Sequence, residues 1–321
     1  MTEWLDLTVA RCRQETAAIR FVELKREHGA PLPAWSPGAH VKVRLPDGDT
    51  RSYSLINFSS DPAATSRPAA YGLGIRLENP SRGGSTFMHG LSVGDRVSVA
   101  PPSNDFVLEP SSQRFVLVAG GIGVTPIIGM AAHLAAAGNP FRLHYLARSA
   151  DHMAFRTELA AIAGDRMAVH LDDQDGVFDL RGLMSELAEG EPLYLCGPRP
   201  MIDAAIAEAS RFGWAPGRLH FEIFSAALPQ AGDRAFEVVL QSSGQTLTVP
   251  ADRTILDVMI EAGLDPLYDC KRGDCGICQA TVVEGEPDHR DYILSDAEKA
   301  AGELIQICVS RSKTPRLVLD L

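Results

Sequence analysis

Cys270-Lys-Arg-Gly-Asp-Cys275-Gly-Ile-Cys278, with Cys308 following after twenty-nine intervening residues, sets four thiols in a C-x4-C-x2-C…C pattern. That spacing is the one used by a plant-type [2Fe–2S] site, where one tight loop and one distant strand supply the thiolates. Gly273 and Gly276 suit such a loop, because small residues let backbone N–H groups approach the inorganic sulfides. Zinc sites more often show two separated cysteine pairs. Disulfides fit poorly with an opening Met1-Thr-Glu-Trp-Leu-Asp that has neither a basic nor an apolar signal region. The expectation is a one-electron centre on Cys270, Cys275, Cys278 and Cys308.

Upstream of the loop, 236–240 and 245–249 read as a hairpin around Ser243-Gly244, and 254–262 reads as a helix. A compact ββα unit leading into a cluster loop is the ferredoxin arrangement, here assigned to 235–321. Ala226-Ala-Leu-Pro-Gln-Ala-Gly-Asp before it is a plausible linker of small and polar residues, 226–234.

Further back, the texture of 110–225 is different. Phe115-Val-Leu-Val-Ala is a continuous apolar strand, then a glycine turn, then an apolar-periodic stretch from Pro126 to Ala137. More β-type runs at 141–146 and 192–196 alternate with helical patterns at 153–163 and 200–212. Alternation of this kind predicts an α/β domain with a parallel sheet and ligands at the C-terminal strand ends. Gly120-Gly121-Ile-Gly123-Val-Thr125-Pro126 lies between strand and helix, where a pyrophosphate meets backbone N–H groups. Pro126 suits the first helical turn. The stretch is not a G-x-G-x-x-G fingerprint, and glycine-rich βα turns are common, so alone it leaves dinucleotide binding open. Cys196-Gly197-Pro198, with Met201 three residues on, ends a second apolar strand on the same edge; Cys196 by itself reads as a small buried hydrophobe.

Residues 1–109 carry short β-type runs: His40-Val-Lys-Val-Arg-Leu, Arg51-Ser-Tyr-Ser-Leu-Ile, Tyr71-Gly-Leu-Gly-Ile-Arg-Leu and Arg96-Val-Ser-Val-Ala. Turn signals such as Pro46-Asp-Gly-Asp and Val93-Gly-Asp separate them, which predicts a small antiparallel β-barrel. Arg51-Ser52-Tyr53-Ser54 offers a guanidinium fork, a ring and two hydroxyls for a flavin; exposed residues on a barrel strand are the plain alternative. Ser81-Arg-Gly83-Gly84-Ser85-Thr86 reads either as a phosphate cradle or as a surface turn.

At 321 residues there is room for two or three cores. A formal charge of −11 argues against a nucleic-acid partner. With no run of eighteen apolar residues, no membrane span is expected, and the expected location is cytoplasmic. The nine histidines show no metal-ligand spacing.

Taken in order, Arg51-Ser-Tyr-Ser-Leu, Arg82-Gly-Gly-Ser, Gly120-Gly-Ile-Gly-Val-Thr-Pro, Cys196-Gly-Pro-x-x-Met and the four cysteines cover nearly the whole chain. That order resembles the phthalate dioxygenase reductase family: single-chain, FMN-containing, NADH-dependent reductases that feed Rieske-type oxygenases. His220-Phe-Glu-x-Phe, Gly285-Glu-Pro-Asp-His-Arg-Asp-Tyr-Ile-Leu and Cys308-Val-Ser-Arg near the C-terminus look like the same family. The resemblance implies a flavin-binding β-barrel domain, an NAD-binding α/β domain and a C-terminal β-grasp [2Fe–2S] ferredoxin domain. It implies that Arg51, Ser52, Tyr53 and Ser54 line FMN, with Gly74, Ile75 and Arg76 on the neighbouring strand. Gly84, Ser85 and Thr86 would hold its phosphate, and Phe224 would shield the flavin ring until nicotinamide displaces it. Gly120, Gly121, Gly123, Thr125 and Pro126 would meet the NADH pyrophosphate, and Cys196, Gly197, Pro198 and Met201 would border the nicotinamide.

FMN is the expected flavin, with FAD the alternative. NADH is expected over NADPH, although Arg148-Ser149 stand where a 2′-phosphate would lie. The implied acceptor is a separate terminal oxygenase and the implied state a monomer. Other acceptors are a cytochrome P450 or a corrinoid protein; a non-catalytic redox sensor is the rival from another class. Hydride transfer works by stacking and positioning, so no catalytic acid–base residue is expected. The chain departs from the family at Tyr268-Asp269, where small residues usually precede the first cysteine, and at Lys271-Arg272, where an acidic residue usually follows it. Cations there either favour reduction of the cluster or are solvated and screened.

Overall fold

The computed structural model describes residues 3–81, 83–109, 114–215, 217–224 and 229–321. The chain divides into two compact units, Met1–Glu222 and Ile223–Leu321.

The first unit opens with β1 (Leu5–Gln14), β2 (Ile19–Lys25), β3 (His40–Arg44), β4 (Thr50–Ile56), α1 (Ala63–Ser66), β5 (Tyr71–Arg76), α2 (Gly84–Gly90) and β6 (Arg96–Val99). The six strands close a barrel in the order β1-β2-β5-β4-β3-β6, paired antiparallel throughout. Period-two alternation explains the closure. Leu5, Leu7 and Val9 of β1 and Tyr71, Leu73 and Ile75 of β5 share the barrel interior. Gly72 and Gly74 are left on the outer face of β5, where their lack of a side chain matters below.

The same unit continues with β7 (Phe115–Gly120), α3 (Val124–Ala137), β8 (Phe141–Ala147), α4 (Arg156–Ala163), β9 (Met167–Leu171), α5 (Asp172–Asp175), α6 (Leu180–Glu186), β10 (Leu193–Cys196), α7 (Arg199–Arg211) and β11 (Leu219–Glu222). These strands form a parallel sheet in the order β11-β10-β7-β8-β9. Every residue of β7 is buried, as a central strand covered on both faces requires. The chain steps from β7 to β8 and β9 in one direction, then crosses back to β10 on the other side of β7. The switch point therefore falls between the C-terminal ends of β7 and β10, where open α/β sheets bind ligands.

The second unit holds β12 (Phe236–Leu240), β13 (Thr246–Val249), α8 (Ile255–Glu261), β14 (Gln279–Glu284), β15 (Pro287–Asp288), α9 (Asp296–Ala301), β16 (Leu304–Gln306), β17 (Arg311–Ser312) and β18 (Arg316–Asp320). A five-stranded sheet runs β13-β12-β18-β14-β16, with β12 and β18 parallel, and β15 pairs with β17. Thr254 caps α8 by accepting from Asp257 N at 3.0 Å, and Ile255, Leu256 and Met259 pack on the sheet. Of the expected linker, 226–228 lie outside the described residues. Its far end is anchored: the Asp233 carboxylate accepts two hydrogen bonds from Arg290, at 2.9 and 2.5 Å.

Candidate functional site

The cysteine loop of the second unit is shaped by three left-handed residues, Lys271 (φ 55°), Gly273 (φ 83°) and Gly276 (φ 78°). A Cβ on Gly273 would sit 2.6 Å from Val309 Cγ2, so only glycine lets the loop close on the strand end beyond Cys308. The four sulfurs converge. Cys270 lies near Cys275 and Cys308, and Cys308 near Cys278, a proximity that draws the Cys270 and Cys278 thiols down and pushes Cys275 and Cys308 up. Cys278 and Cys308 are buried, while Cys270 and Cys275 are half-buried. Arg272 N–H donates to Cys270 Sγ at 3.3 Å, the kind of backbone donor that stabilises a cluster thiolate. Four converging thiols, one of them in reach of a backbone N–H, fit an iron–sulfur cluster. Gln306, fully buried with its Oε1 3.5 Å from Cys278 Sγ, escaped the sequence reading, since a lone glutamine carries no pattern.

At the switch point of the first unit, glycine brings two strand ends into contact. A Cβ on Gly123 would fall 2.2 Å from the carbonyl oxygen of Cys196, and one on Gly120 would fall 2.7 Å from Pro198 Cδ and 2.9 Å from Met201 Cε. A Cβ on Gly197 would fall 2.2 Å from Met201 Cε. The Gly120 turn and the Cys196-Gly197-Pro198 end, expected to share an edge, thus form one crevice. Gly121 takes φ 54° in the turn, and Thr125, buried, closes it by donating to Ile122 O at 3.0 Å. Pro126 lies in the first turn of α3. The exposed Arg148 and half-buried Ser149 follow β8 directly, with Ser149 Oγ 2.7 Å from His152 Nδ1.

On the barrel, Arg51 and Tyr53 meet the start of α2. A Cβ on Gly84 would lie 2.5 Å from Arg51 Cγ and 3.2 Å from Tyr53 Oη. Ser85 Oγ accepts from Glu78 N at 3.1 Å, and Arg76 grips Glu78 through two bonds of 2.9 Å. Arg51 Nη1 donates to Asp49 at 2.6 Å. Burial pushes the Tyr53 phenol up to about 12. Ser54 Oγ is buried without a hydrogen-bond partner among the described residues. A buried hydroxyl without a protein partner, on the same strand as the converging Arg51 and Tyr53, fits a flavin site.

Other expected residues are dispersed. Ile75 points into the barrel core, and its carbonyl oxygen lies 3.0 Å from His89 Nε2. Gly74 faces Thr125 and Phe155, at 2.7 and 3.0 Å from a notional Cβ, so either residue would reach a flavin only through its main chain. Ser52 is half-buried and Thr86 exposed; Arg82 lies outside the described residues. Phe224, half-buried, comes two residues after β11 and belongs to the Ile223–Leu321 unit. A cavity of about 750 Å³ lined by Trp214, Arg218, His220 and Pro192 opens at the other end of the sheet from the crevice.

A sequence profile of the 2Fe-2S iron-sulfur cluster binding domain matches residues 238–313. A profile of the N-terminal domain of proteins like dimethylamine monooxygenase subunit DmmA matches residues 96–219. The chain is 43% identical over 323 residues to the vanillate O-demethylase oxidoreductase of Pseudomonas sp. strain HR199, covering 99% of this chain and 100% of that one. It is 42% identical over 325 residues to the tetrachlorobenzoquinone reductase of Sphingobium chlorophenolicum, covering 99% and 98%. The solved phthalate dioxygenase reductase superposes with a TM-score of 0.75 at 36% identity, covering 99% of this chain and 98% of that one. An intact type IV self-sufficient cytochrome P450 monooxygenase matches with a TM-score of 0.72 at 36% identity, and there the chain spans 41% of the longer protein.

Proposed function

The chain belongs to the phthalate dioxygenase reductase family, and on that premise we propose that it oxidises NADH and passes the electrons through FMN and a [2Fe–2S] cluster to a separate terminal oxygenase. The observation that carries this reading is a converging four-cysteine loop in the same chain as a glycine-closed crevice at a sheet switch point. Held by the barrel residues, FMN would supply the change from two-electron oxidation of NADH to one-electron delivery to the cluster.

We assign 1–109 to the flavin, 110–225 to NAD, 226–234 to the linker and 235–321 to the cluster. Arg51 binds the FMN phosphate together with the Gly84-Ser85-Thr86 turn, leaving Asp49 as the counter-charge that holds the guanidinium ready. Ser52 and Tyr53 flank the flavin, and the Ser54 hydroxyl donates to it, gaining the partner it lacks. Gly74, Ile75 and Arg76 line the flavin edge through their main chain. Gly120, Gly121 and Gly123 present backbone N–H groups to the pyrophosphate at the α3 N-terminus, with Thr125 and Pro126 fixing that turn. Cys196, Gly197, Pro198 and Met201 border the nicotinamide. No side chain is asked to move a proton, because positioning supplies the catalysis. We further assign a monomeric, cytoplasmic protein; no helix among the described residues is long and apolar enough to cross a membrane.

A second acceptor class is a P450 haem, favoured by the match to 41% of a self-sufficient cytochrome P450 monooxygenase. An anaerobic NADH titration followed by visible absorbance and low-temperature EPR tests the main reading. Flavin bleaching with a rhombic [2Fe–2S] signal is the expected outcome. Bleaching without a cluster signal would refute the electron path, and no bleaching would refute the nucleotide assignment.

A further inference from the structure

Phe155 is the N-cap of α4 and its backbone is left-handed, φ 57° and ψ 21°. For a bulky side chain that conformation is costly, and it persists only where the surroundings over-determine it. Tyr145, fully buried, donates its hydroxyl to the neighbouring Ala154 O at 2.9 Å, and Leu159 N–H donates to Phe155 O at 2.9 Å. The ring is buried edge-on against Phe21, with centroids 6.0 Å apart and planes at 76°, and lies 5.7 Å from Phe58. Phe155 comes from the α/β half of the first unit, whereas Phe21 is on β2 and Phe58 just follows β4.

A third contact says what this wedge sets. The outer face of β5 is flat because Gly72 and Gly74 lack side chains. Phe21 covers Gly72, at 2.9 Å from a notional Cβ. Phe155 and Thr125 both seat on Gly74, at 3.0 and 2.7 Å from its notional Cβ. Thr125 opens α3 directly after the Gly120–Gly123 turn. One point therefore joins a barrel strand next to the flavin residues, the dinucleotide turn and a strained aromatic. An ion pair of 2.5 Å from Arg13 of β1 to Glu158 of α4 straps the same seam.

We propose that Phe155 is a positioning residue for hydride transfer, holding the barrel and the dinucleotide turn at the spacing the nicotinamide and flavin need. It touches neither group of proposed cofactor-binding side chains except through Gly74 and Thr125, so it acts through them. The proposal rests on the NADH-to-FMN reading above. Misplacing reacting atoms by about 1 Å costs on the order of 100-fold in rate.

Three variants separate the ring from the backbone strain. Phe155→Asn keeps a side chain that tolerates the left-handed region and removes the ring, Phe155→Tyr keeps the ring, and Phe155→Gly removes both. In holoenzyme, Phe155→Asn and Phe155→Gly should slow flavin bleaching by NADH at least ~10-fold, in line with sub-ångström displacement. The Kd values for FMN and NADH should stay near wild type, the primary isotope effect with C4-deuterated NADH should rise, and Phe155→Tyr should restore the wild-type values. In flavin-free protein, calorimetry should show the first unit unfolding in one transition for wild type and Phe155→Tyr, and in two for Phe155→Asn. If Phe155→Asn does not fold, Gly74→Ala opens the same seam from the barrel side and should give the same rate and isotope signature. A Phe155→Asn protein that bleaches at the wild-type rate, or slows only in proportion to lost FMN, overturns this role alone. A wild-type flavin that NADH does not bleach sinks the functional reading, and this role with it.

Discussion

The cysteine loop of the second unit and the glycine turns of the first, each assigned above to a redox group, are made of opposite materials. In the loop, the specificity is in side chains: four sulfurs at fixed spacing, three of them within nine residues. In the crevice, it is in the absence of side chains, so that Gly120, Gly123 and Gly197 let two strand ends touch. A thiolate site tolerates variation around its ligands but none at them. A backbone site has the converse weakness, most sharply at Gly123, where an added methyl meets main chain that cannot move aside.

Removing one ligand is the harshest test of the first half of that contrast. Cys308→Ser should abolish the [2Fe–2S] EPR signal and cytochrome c reduction while NADH still reduces ferricyanide through the flavin. The separation of the two acceptors shows that the loss is confined to the second unit. Retained cytochrome c activity would place electron exit at the flavin instead.

The crevice should break almost as badly under a much smaller change. Gly123→Ala places a methyl 2.2 Å from Cys196 O and 2.4 Å from Cys196 C, both main-chain atoms. The strand ends must part, and kcat/KM for NADH with ferricyanide should fall by about 100-fold, roughly 3 kcal/mol. FMN content should stay intact, because the flavin residues are on the barrel. An activity within a factor of two would mean that the crevice is not the nicotinamide site.

The second unit also leans on side chains away from the cluster. Hydrogen bonds from Arg290 hold the Asp233 carboxyl down to about 2, with Arg311 adding attraction against the cost of burial. A depressed folded pKa contributes stability that is fully present above the unfolded value near 3.9 and is lost as pH falls toward about 2. Asp233→Asn should therefore cost about 2 kcal/mol in urea unfolding at pH 7. The gap from wild type should narrow between about pH 4 and pH 2. An unchanged gap across that window would remove Asp233 as its source.

Ser54 sharpens the comparison from the barrel side. Its buried hydroxyl has no partner among the described residues, so Ser54→Ala should leave the flavin-free protein as stable or up to about 1 kcal/mol more stable. With FMN bound the sign reverses, and flavin affinity should weaken by about tenfold. Equal stability changes with and without FMN would show that the hydroxyl does not face the flavin.

The same contrast explains what was legible in the sequence. Cysteine spacing is written directly in the residues, and the barrel, parallel sheet and ferredoxin unit follow from periods of two and 3.6 punctuated by glycine and proline. The adjacency of the Gly120 and Cys196 turns needed only the rule that ligands gather at C-terminal strand ends. The family pattern assigns Gly74, Ile75 and Arg76 to one flavin edge, and alternation along β5, which sends the Ile75 side chain into the barrel, leaves that edge to the main chain. Phe155 and Gln306 had no signal: a single phenylalanine or glutamine acquires its role only when distant strands assemble around it.

Lys271 and Arg272 carry the smallest expected effect and divide along the same line. The sequence left both as solvated, screened cations or as charges that favour cluster reduction. The structure separates them. The Arg272 side chain is only 11% exposed, with Nε 3.7 Å from Asp274 Oδ2, while Lys271 Nζ stands 4.7 Å from the centre of the Tyr268 ring. Taking a separation on the order of 8 Å, a unit charge acting through an effective dielectric between about 20 and 80 is worth about 0.5–2 kcal/mol. For one electron, that range is on the order of 20–90 mV. Arg272→Gln should lower the midpoint potential toward the upper part of that range, tempered by the neighbouring Asp274 carboxylate. Lys271→Gln, which removes an ammonium standing over the Tyr268 ring, should lower it toward the bottom. An EPR-monitored redox titration of the two single variants reads both. Equal shifts would show that burial does not set the coupling, and no shift in either would leave the backbone N–H groups of the loop as the main control of potential.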